Sequence, residues 1–286
     1  MDFFPKRTWL TQPQGSAIRS RFMVPRLRTL FILSLSLLLC ACGQHDRAKT
    51  LIIGMEAGYP PFEMKDPSGE FTGVSVDLGK ALAKELGRTP DFRNIPFDGL
   101  INALKSGEID CVISSMSVTE ERRPSIDFSD PYVKTGLALL TSSKSAFQSL
   151  ADLKGPGRRI AVKLTTTGEA FVRKNLPEAT VVALSEDTAC VMEVVKGSVD
   201  AWIYDQLSII RFHDKNPDTT RALLKPVTEE NWAIGFRKGN DALREPTNAF
   251  LKKFRAEGGF DKIADKYLSE YREKMRAQGI PFVFDL

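Results

Sequence analysis

Histidine is nearly absent: the 286 residues contain two, His45 and His213. Neither stands at the end of an expected strand, which argues against imidazole catalysis and against a His-rich metal site. Cysteine is scarce as well, four residues in all. Cys40 and Cys42 lie near the N-terminus, which leaves Cys111 in an expected strand and Cys190 in an expected helix. Two buried unpaired thiols are the expectation for these, with a bridge in an oxidising compartment as the alternative. No apolar run reaches the roughly 20 residues of a comfortable membrane span. Beyond residue 41 no basic run argues for nucleic acid, and there is neither a short-period repeat nor a low-complexity tract. A hydrophobic content of 42% suffices for one large or two medium domains with real cores.

The first 41 residues differ from the rest. Lys6, Arg7, Arg19, Arg21, Arg26 and Arg28 precede "LFILSLSLLL", a pattern that reads as an export signal over residues 1–41. The run ends in "LCACGQ", where Cys42 follows a small residue and has Leu39 three positions before it, an arrangement that resembles a bacterial lipobox. Cys42 is therefore the expected lipidated N-terminus of the mature chain, better placed than Cys40, whose release requires cleavage after bulky Leu39. An ordinary secretory signal is the plainer alternative. Met23 opens a tidier signal than Met1, so translation starting there is a second expectation. Loss of residues 1–41 removes six basic residues and one acidic, which turns a net charge of +4 into −1. The basic character belongs to the signal.

After a short linker, residues 42–49, strand-like and helix-like patterns alternate. This favours α/β layers with mostly parallel sheets. "TLIIGME", "DFRNI" and "IDCVISS" read as strands; "DLGKALAKELG" and "FDGLINALKSG" read as helices stopped by Gly87 and Gly107. "TEER" reads as the opening of another helix, capped by Thr119. The style repeats with strands "RIAVK", "TVVAL" and "AWIYD" around the helix "EDTACVMEVVKG", so two similar units, hence two lobes, are expected. "WAIGFRKG" is a further strand. Two amphipathic helices follow it: Pro246 fits the first turn of one, and Ile263, Tyr267, Tyr271 and Met275 line the other.

The junction "ISSMSVTEER" concentrates donors at one strand end: Ser114, Ser115, Ser117, Thr119 and Arg122. Ligands of open α/β sheets bind beyond the carboxyl ends of strands, and an arginine fork there suits a carboxylate. The plainer reading has the hydroxyls capping a helix and Arg122 pairing with Glu121 or Asp127 at the surface; pattern alone leaves both open. "AVKLTTTGE" supplies a second strand, a Thr-rich turn and a helix start. Asp205 ends "AWIYD", either to accept from a ligand ammonium or to cap the next helix. Donors on one unit and a carboxylate on the other suit a zwitterion, most simply an α-amino acid. Tyr59 and Phe97, each beside a strand end, are either core or the walls of a side-chain pocket.

Together these residues resemble the family 3 extracellular solute-binding proteins, the amino-acid receptors of bacterial ABC importers, over essentially the whole mature chain. The most specific stretch is "SSMSVTEERRPSIDFSDPY"; "YPPFE" and "FTGVSVDLGKALAKELG" match two further blocks, although Val74 replaces a usual larger apolar residue and Ser75 a usual acid. The resemblance implies a type II periplasmic-binding-protein-like fold, with two α/β lobes joined by two crossing strands and the ligand enclosed between them. The crossings are expected near Lys134–Leu139 and Asn231–Phe236, with residues 50–137 and 233–286 in lobe 1 and 138–232 in lobe 2. It further implies that Arg122 and Ser117 hold a ligand carboxylate with backbone groups near Ser115 and Thr167. Asp205 takes the ammonium, and Tyr59 and Phe97 flank the side chain.

Glu56, Lys163 and Tyr204 fall at the family's selectivity positions, and Ser114 adds a donor where Ala or Gly is common. An acid at Glu56 suits a cationic tip; Lys163 opposes one unless Glu56 neutralises it. Acid plus lysine resembles the amide clamp of glutamine receptors, so a polar amino acid is expected, glutamine narrowly ahead of arginine or lysine. The expected partners are that amino acid, membrane permease subunits and, through the lipid on Cys42, a membrane surface on the extracytoplasmic side. No cofactor, metal or nucleic acid is expected, and the chain is expected to be a monomer. The rivals are a periplasmic dehydratase on the same fold, with Glu56 and Lys163 as an acid/base pair, and a lipoprotein that senses an amino acid.

Overall fold

The computed structural model describes residues 49–285. The expected signal over residues 1–41, Met23, Cys40, the lipidated Cys42 and the linker as far as residue 48 lie outside the described residues. In chain order β1 (Thr50–Met55), β2 (Gly58–Tyr59), β3 (Glu63–Lys65) and β4 (Phe71–Thr72) lead to α1 (Val74–Glu85) and β5 (Thr89–Asn94). A short 3-10 turn at Phe97–Gly99 runs into α2 (Leu100–Ser106), followed by β6 (Cys111–Val112), β7 (Ile126–Thr135), β8 (Leu137–Ser142) and β9 (Arg159–Lys163). Then come α3 (Thr167–Asn175), β10 (Thr180–Leu184), α4 (Asp187–Lys196), β11 (Ala201–Asp205), α5 (Gln206–Lys215), β12 (Thr220–Leu223) and β13 (Glu230–Arg237). Three helices close the described chain: α6 (Asp241–Ala256), α7 (Gly259–Tyr267) and α8 (Ser269–Ala277).

Two five-stranded sheets of the same design result, ordered β5-β1-β6-β13-β7 and β10-β9-β11-β8-β12, with β2-β3-β4 as a small third sheet. The expectation of mostly parallel sheets is corrected to mixed ones. β1 runs parallel to β5 and β6, and β9 to β10 and β11. The strands nearest each crossing, β13 with β7 and β8 with β12, pair antiparallel. Alternation of side chains puts one core on each sheet face. In β11, Ala201 and Ile203 join Val162, Leu153 and Val172, while Trp202, fully buried, turns to the large core shared with Cys190, Val191 and Phe212. In β1, Leu51, Ile53 and Met55 face that large core, and Ile52 packs against Leu100 and Leu104 of α2 on the other side. Cys111 and Cys190 are both buried free thiols.

The chain passes between the sheets at Gly136, between β7 and β8, and at residues 224–229, between β12 and β13. The second passage lies before Asn231, not over 231–236, because "ENWAIGFR" is already a buried strand of the first sheet, bonded to β6 and β7. The two passages touch: Leu137 N–H donates to Thr228 Oγ1 at 3.0 Å and Val227 N–H to the Leu137 carbonyl at 2.8 Å. A Cβ on Gly136 would stand 2.2 Å from the Thr228 carbonyl oxygen, so only glycine fits.

Three other expectations change. "TEER" is a turn, not a helix: Arg123 precedes Pro124, which disfavours helical backbone, and β7 begins at Ile126. The tail holds three helices, since the row Ile263–Tyr267–Tyr271–Met275 is broken at Leu268. Pro246 sits within α6, which starts at Asp241, beyond its first turn.

Candidate functional site

The carboxyl ends of β1, β6, β9 and β11 converge where the two sheets face each other. β1 delivers Glu56 just past its last residue, and the Glu56 N–H donates to Ser114 Oγ at 3.0 Å. The serine run bends sharply after β6. Ser115 holds φ +47°, and its hydroxyl donates to Glu63 Oε2 at 3.2 Å. The turn that replaces the expected helix leaves Arg122 pointing inward, not toward Glu121 or Asp127. Its Nη1 donates to the Ser117 carbonyl at 2.8 Å, its Nη2 to the Thr165 carbonyl of the second lobe at 3.1 Å, and its guanidinium lies 5.4 Å from the Phe97 ring centre. Burial pulls this guanidinium below its ordinary value, and the nearby Glu230 charge opposes the shift.

From the second sheet, the "LTTTGE" turn folds into α3 with Thr166 as its cap, the hydroxyl accepting from Glu169 N–H at 3.4 Å and donating to the Lys163 carbonyl at 2.7 Å. Gly168 lets α3 approach β11: a Cβ there would lie 2.6 Å from the Ile203 carbonyl oxygen. β11 ends in Tyr204, stacked on Trp202 at 4.9 Å, and in buried Asp205. Asp205 caps α5 by accepting from Ser208 N–H at 3.0 Å. Burial raises its carboxyl above the ordinary range, against the pull of the Tyr59 and Ser208 hydroxyls and the Arg211 charge. The Tyr59 hydroxyl, buried without a well-aligned partner, is raised well above its usual value by burial and by the Asp205 charge.

Glu56, Tyr59, Phe97, Ser114, Ser115, Ser117, Arg122, Thr167, Tyr204 and Asp205 line one cavity. Lys163 does not line it. Its ammonium forms an ion pair with Glu56, whose second oxygen accepts from Phe97 N–H at 3.2 Å. Tyr59 and Phe97 do different jobs. Tyr59 belongs to an aromatic wall with Phe62, Trp232 and Tyr204, with centres 5.9 to 6.2 Å from it; Phe97 lies against the Arg122 cation.

Glu63, Leu137, Thr166, Glu230 and Trp232 also line the cavity without having been singled out. Glu63 and Thr166 stood inside the motifs "YPPFE" and "LTTTGE". Glu230 and Trp232 carried no local signal, for "TEEN" before an apolar strand reads as a solvated acidic pair. Glu230 is central: its Oε2 accepts from Ser117 Oγ at 2.5 Å and Thr167 Oγ1 at 3.0 Å, and its Oε1 from Thr228 Oγ1 at 3.3 Å. Among the described residues no group of three His, Cys, Asp or Glu is arranged to hold a metal ion, and no helix is long and apolar enough to cross a membrane.

Two facing lobes, with donors and an arginine at one end of an interlobe cavity and a buried carboxylate in its wall, define a solute-binding architecture. The chain belongs to the bacterial extracellular solute-binding proteins, family 3, whose model it matches over residues 51–270. It is similar to the ABC transporter glutamine-binding protein GlnH of Bacillus subtilis, 30% identical over 236 residues that cover 81% of this chain and 85% of that protein. It is also similar to the L-arginine-binding protein of Pseudomonas aeruginosa, 33% identical over 254 residues, 85% of this chain and 96% of that one. In three dimensions it resembles the crystal structure of the ancestral amino acid-binding protein AncCDT-1, a precursor of cyclohexadienyl dehydratase, with TM-score 0.70, 36% identity and coverage of 78% of this chain and 96% of that chain.

Proposed function

We propose that this chain is the extracytoplasmic binding component of an ABC importer for a polar amino acid. The zwitterion is held between the lobes, with glutamine and the cationic pair arginine and lysine as the favoured ligands. The observation that carries this reading is the single cavity into which Ser117, Thr167 and Arg122 are brought together with the buried carboxylate of Asp205. Donors from both lobes at one ligand mean that contacts are complete only when the lobes are together, so binding shifts the population toward closure. The closed form then docks on permease subunits, as a monomer held to the membrane by acyl chains on Cys42, two or more chains being needed for a stable anchor.

Turnover by a dehydratase-like mechanism is the second reading, favoured by the Glu56–Lys163 pair and the likeness to AncCDT-1. Both Glu56 oxygens are committed, one to Lys163 and one to Phe97 N–H. That arrangement supports a fixed polar contact from Glu56 to a side chain over a free proton donor, and we propose binding without turnover.

The test is thermal denaturation of the fragment from Gly43, refolded to strip carried-over ligand, with each of the twenty amino acids. A ligand at about 100 times its dissociation constant adds about 2.7 kcal/mol. Arg122→Ala and Asp205→Asn are expected to abolish the shift; the asparagine keeps an oxygen for the α5 cap, so loss of binding is not loss of the helix. Near-normal affinity in either variant refutes the placement of the zwitterion. No shift with any amino acid in the wild type refutes the function.

A further inference from the structure

The donors assigned above to a ligand carboxylate are engaged by a carboxylate of the chain itself. Glu230 is the first residue of β13, where the chain returns from the second sheet to the first. One of its oxygens accepts from Ser117 Oγ at 2.5 Å, on the first lobe, and from Thr167 Oγ1 at 3.0 Å, on the second. Its other oxygen accepts from Thr228 Oγ1 at 3.3 Å, and the same hydroxyl receives Leu137 N–H at 3.0 Å, so the acid is oriented from the crossing itself. Ser117 is further fixed by a backbone bridge to Trp232, two residues along β13. The Glu230 charge also acts on Arg122. Each hydroxyl has one proton to donate, so a ligand carboxylate accepts from Ser117 Oγ and Thr167 Oγ1 only when Glu230 leaves them.

We propose that Glu230 is a tethered stand-in for the ligand carboxylate: it bridges the lobes through Ser117 and Thr167, and a ligand binds by exchanging its own carboxylate for that of Glu230. This rests on the amino-acid reading above and adds to it a residue that sets affinity by competition and discriminates ligands by whether they carry a carboxylate. The apparent dissociation constant is then the intrinsic one divided by the fraction of molecules whose donors are free. Were Glu230 to hold them about nine-tenths of the time, removal of the competitor would tighten binding about tenfold. A ligand with an ammonium or guanidinium but no carboxylate does not need the exchange, and gains nothing.

The experiment is isothermal titration of wild type, Glu230→Gln and Glu230→Ala with arginine, glutamine and agmatine, the decarboxylated form of arginine, plus small-angle scattering of each protein with no additive. The amide keeps shape and an acceptor oxygen but removes the charge; the alanine removes the bridge. Expected are about tenfold tighter binding of whichever amino acid the wild type takes, unchanged agmatine binding, and a larger radius of gyration for Glu230→Ala. Unchanged or weaker amino-acid binding in both variants overturns the proposal, as does equal tightening of agmatine, which would mark a general loosening. If no amino acid binds the wild type, the function proposed above fails and scattering alone decides the bridge: expansion of Glu230→Ala upholds it, and an unchanged radius removes it.

Discussion

Glu63 offers the sharpest test of the site's electrostatics. It is 1% exposed at the start of β3, and Oε2 accepts from Ser75 Oγ at 2.6 Å and Ser115 Oγ at 3.2 Å. Burial raises its carboxyl from 4.5 to about 8, against the pull of those two donors. Below pH 4.5 the group is protonated in both folded and unfolded chains. Between 4.5 and 8 the unfolded chain releases its proton while the folded chain keeps it, so stability falls as pH rises; above 8 both are ionised and the loss is complete. At about 1.4 kcal/mol per pH unit, that window sets a ceiling of about 5 kcal/mol. Glu63→Gln retains an oxygen for both serine hydroxyls and cannot ionise. Urea unfolding, followed by the fluorescence of Trp202 and Trp232, should therefore give wild-type and variant stabilities that diverge from pH 5 to pH 8.5, with the variant the more stable at the alkaline end. Groups such as Asp205 titrate in both proteins and cancel in the difference. Two parallel curves, separated by a constant within about 0.5 kcal/mol, would refute the assignment of a buried neutral acid.

Two further perturbations probe the frame around the site. Arg211 on α5 and Asp187 on α4 form a buried ion pair at 2.8 Å, so Arg211→Met should cost about 3–5 kcal/mol in chemical denaturation by stranding the acid, and Asp187→Asn in the same chain should recover part of that loss. Gly136→Ala places a methyl 2.2 Å from the Thr228 carbonyl oxygen; the crossing has to shift, and a loss of about 1–3 kcal/mol in stability with weaker ligand binding is expected, read by melting temperature and titration.

Sequence legibility followed the range of the forces involved. "RIAVK", "TVVAL" and "AWIYD" coincide with β9, β10 and β11 to the residue, because short apolar runs between polar turns determine a strand locally, whether central or, as β10, at a half-buried edge. Strand direction is not local. A period of two is the same for parallel and antiparallel neighbours, so the mixed sheets were not legible. The "TEER" turn was misread because a capping pattern is a statement about four residues, while Pro124 and the pull of β7 act just beyond them. Glu230 was invisible for a stronger reason: its partners Ser117 and Thr167 are 113 and 63 residues away, and only the pairing of the two crossings brings it to them.

Charge balance within the cavity ranks the contacts a ligand can make. Glu56 and Lys163 neutralise each other, and Glu230 gives Ser117, Thr167 and Arg122 an internal carboxylate to work against. A ligand group that approaches either set replaces a bond already made, so its net gain is a difference of similar terms. Asp205 stands apart. Among the described residues no cation lies within ion-pair distance of it; the Ser208 N–H and the Tyr59 and Ser208 hydroxyls act on its oxygens, yet burial still raises its carboxyl. An ammonium placed there relieves the cost of burial and has no resident cation to displace. On the proposed reading the amine end therefore supplies most of the affinity, the carboxylate end supplies closure of the lobes through exchange with Glu230, and Glu56, which lines the cavity with its charge met by Lys163 behind it, decides which side chain is accepted.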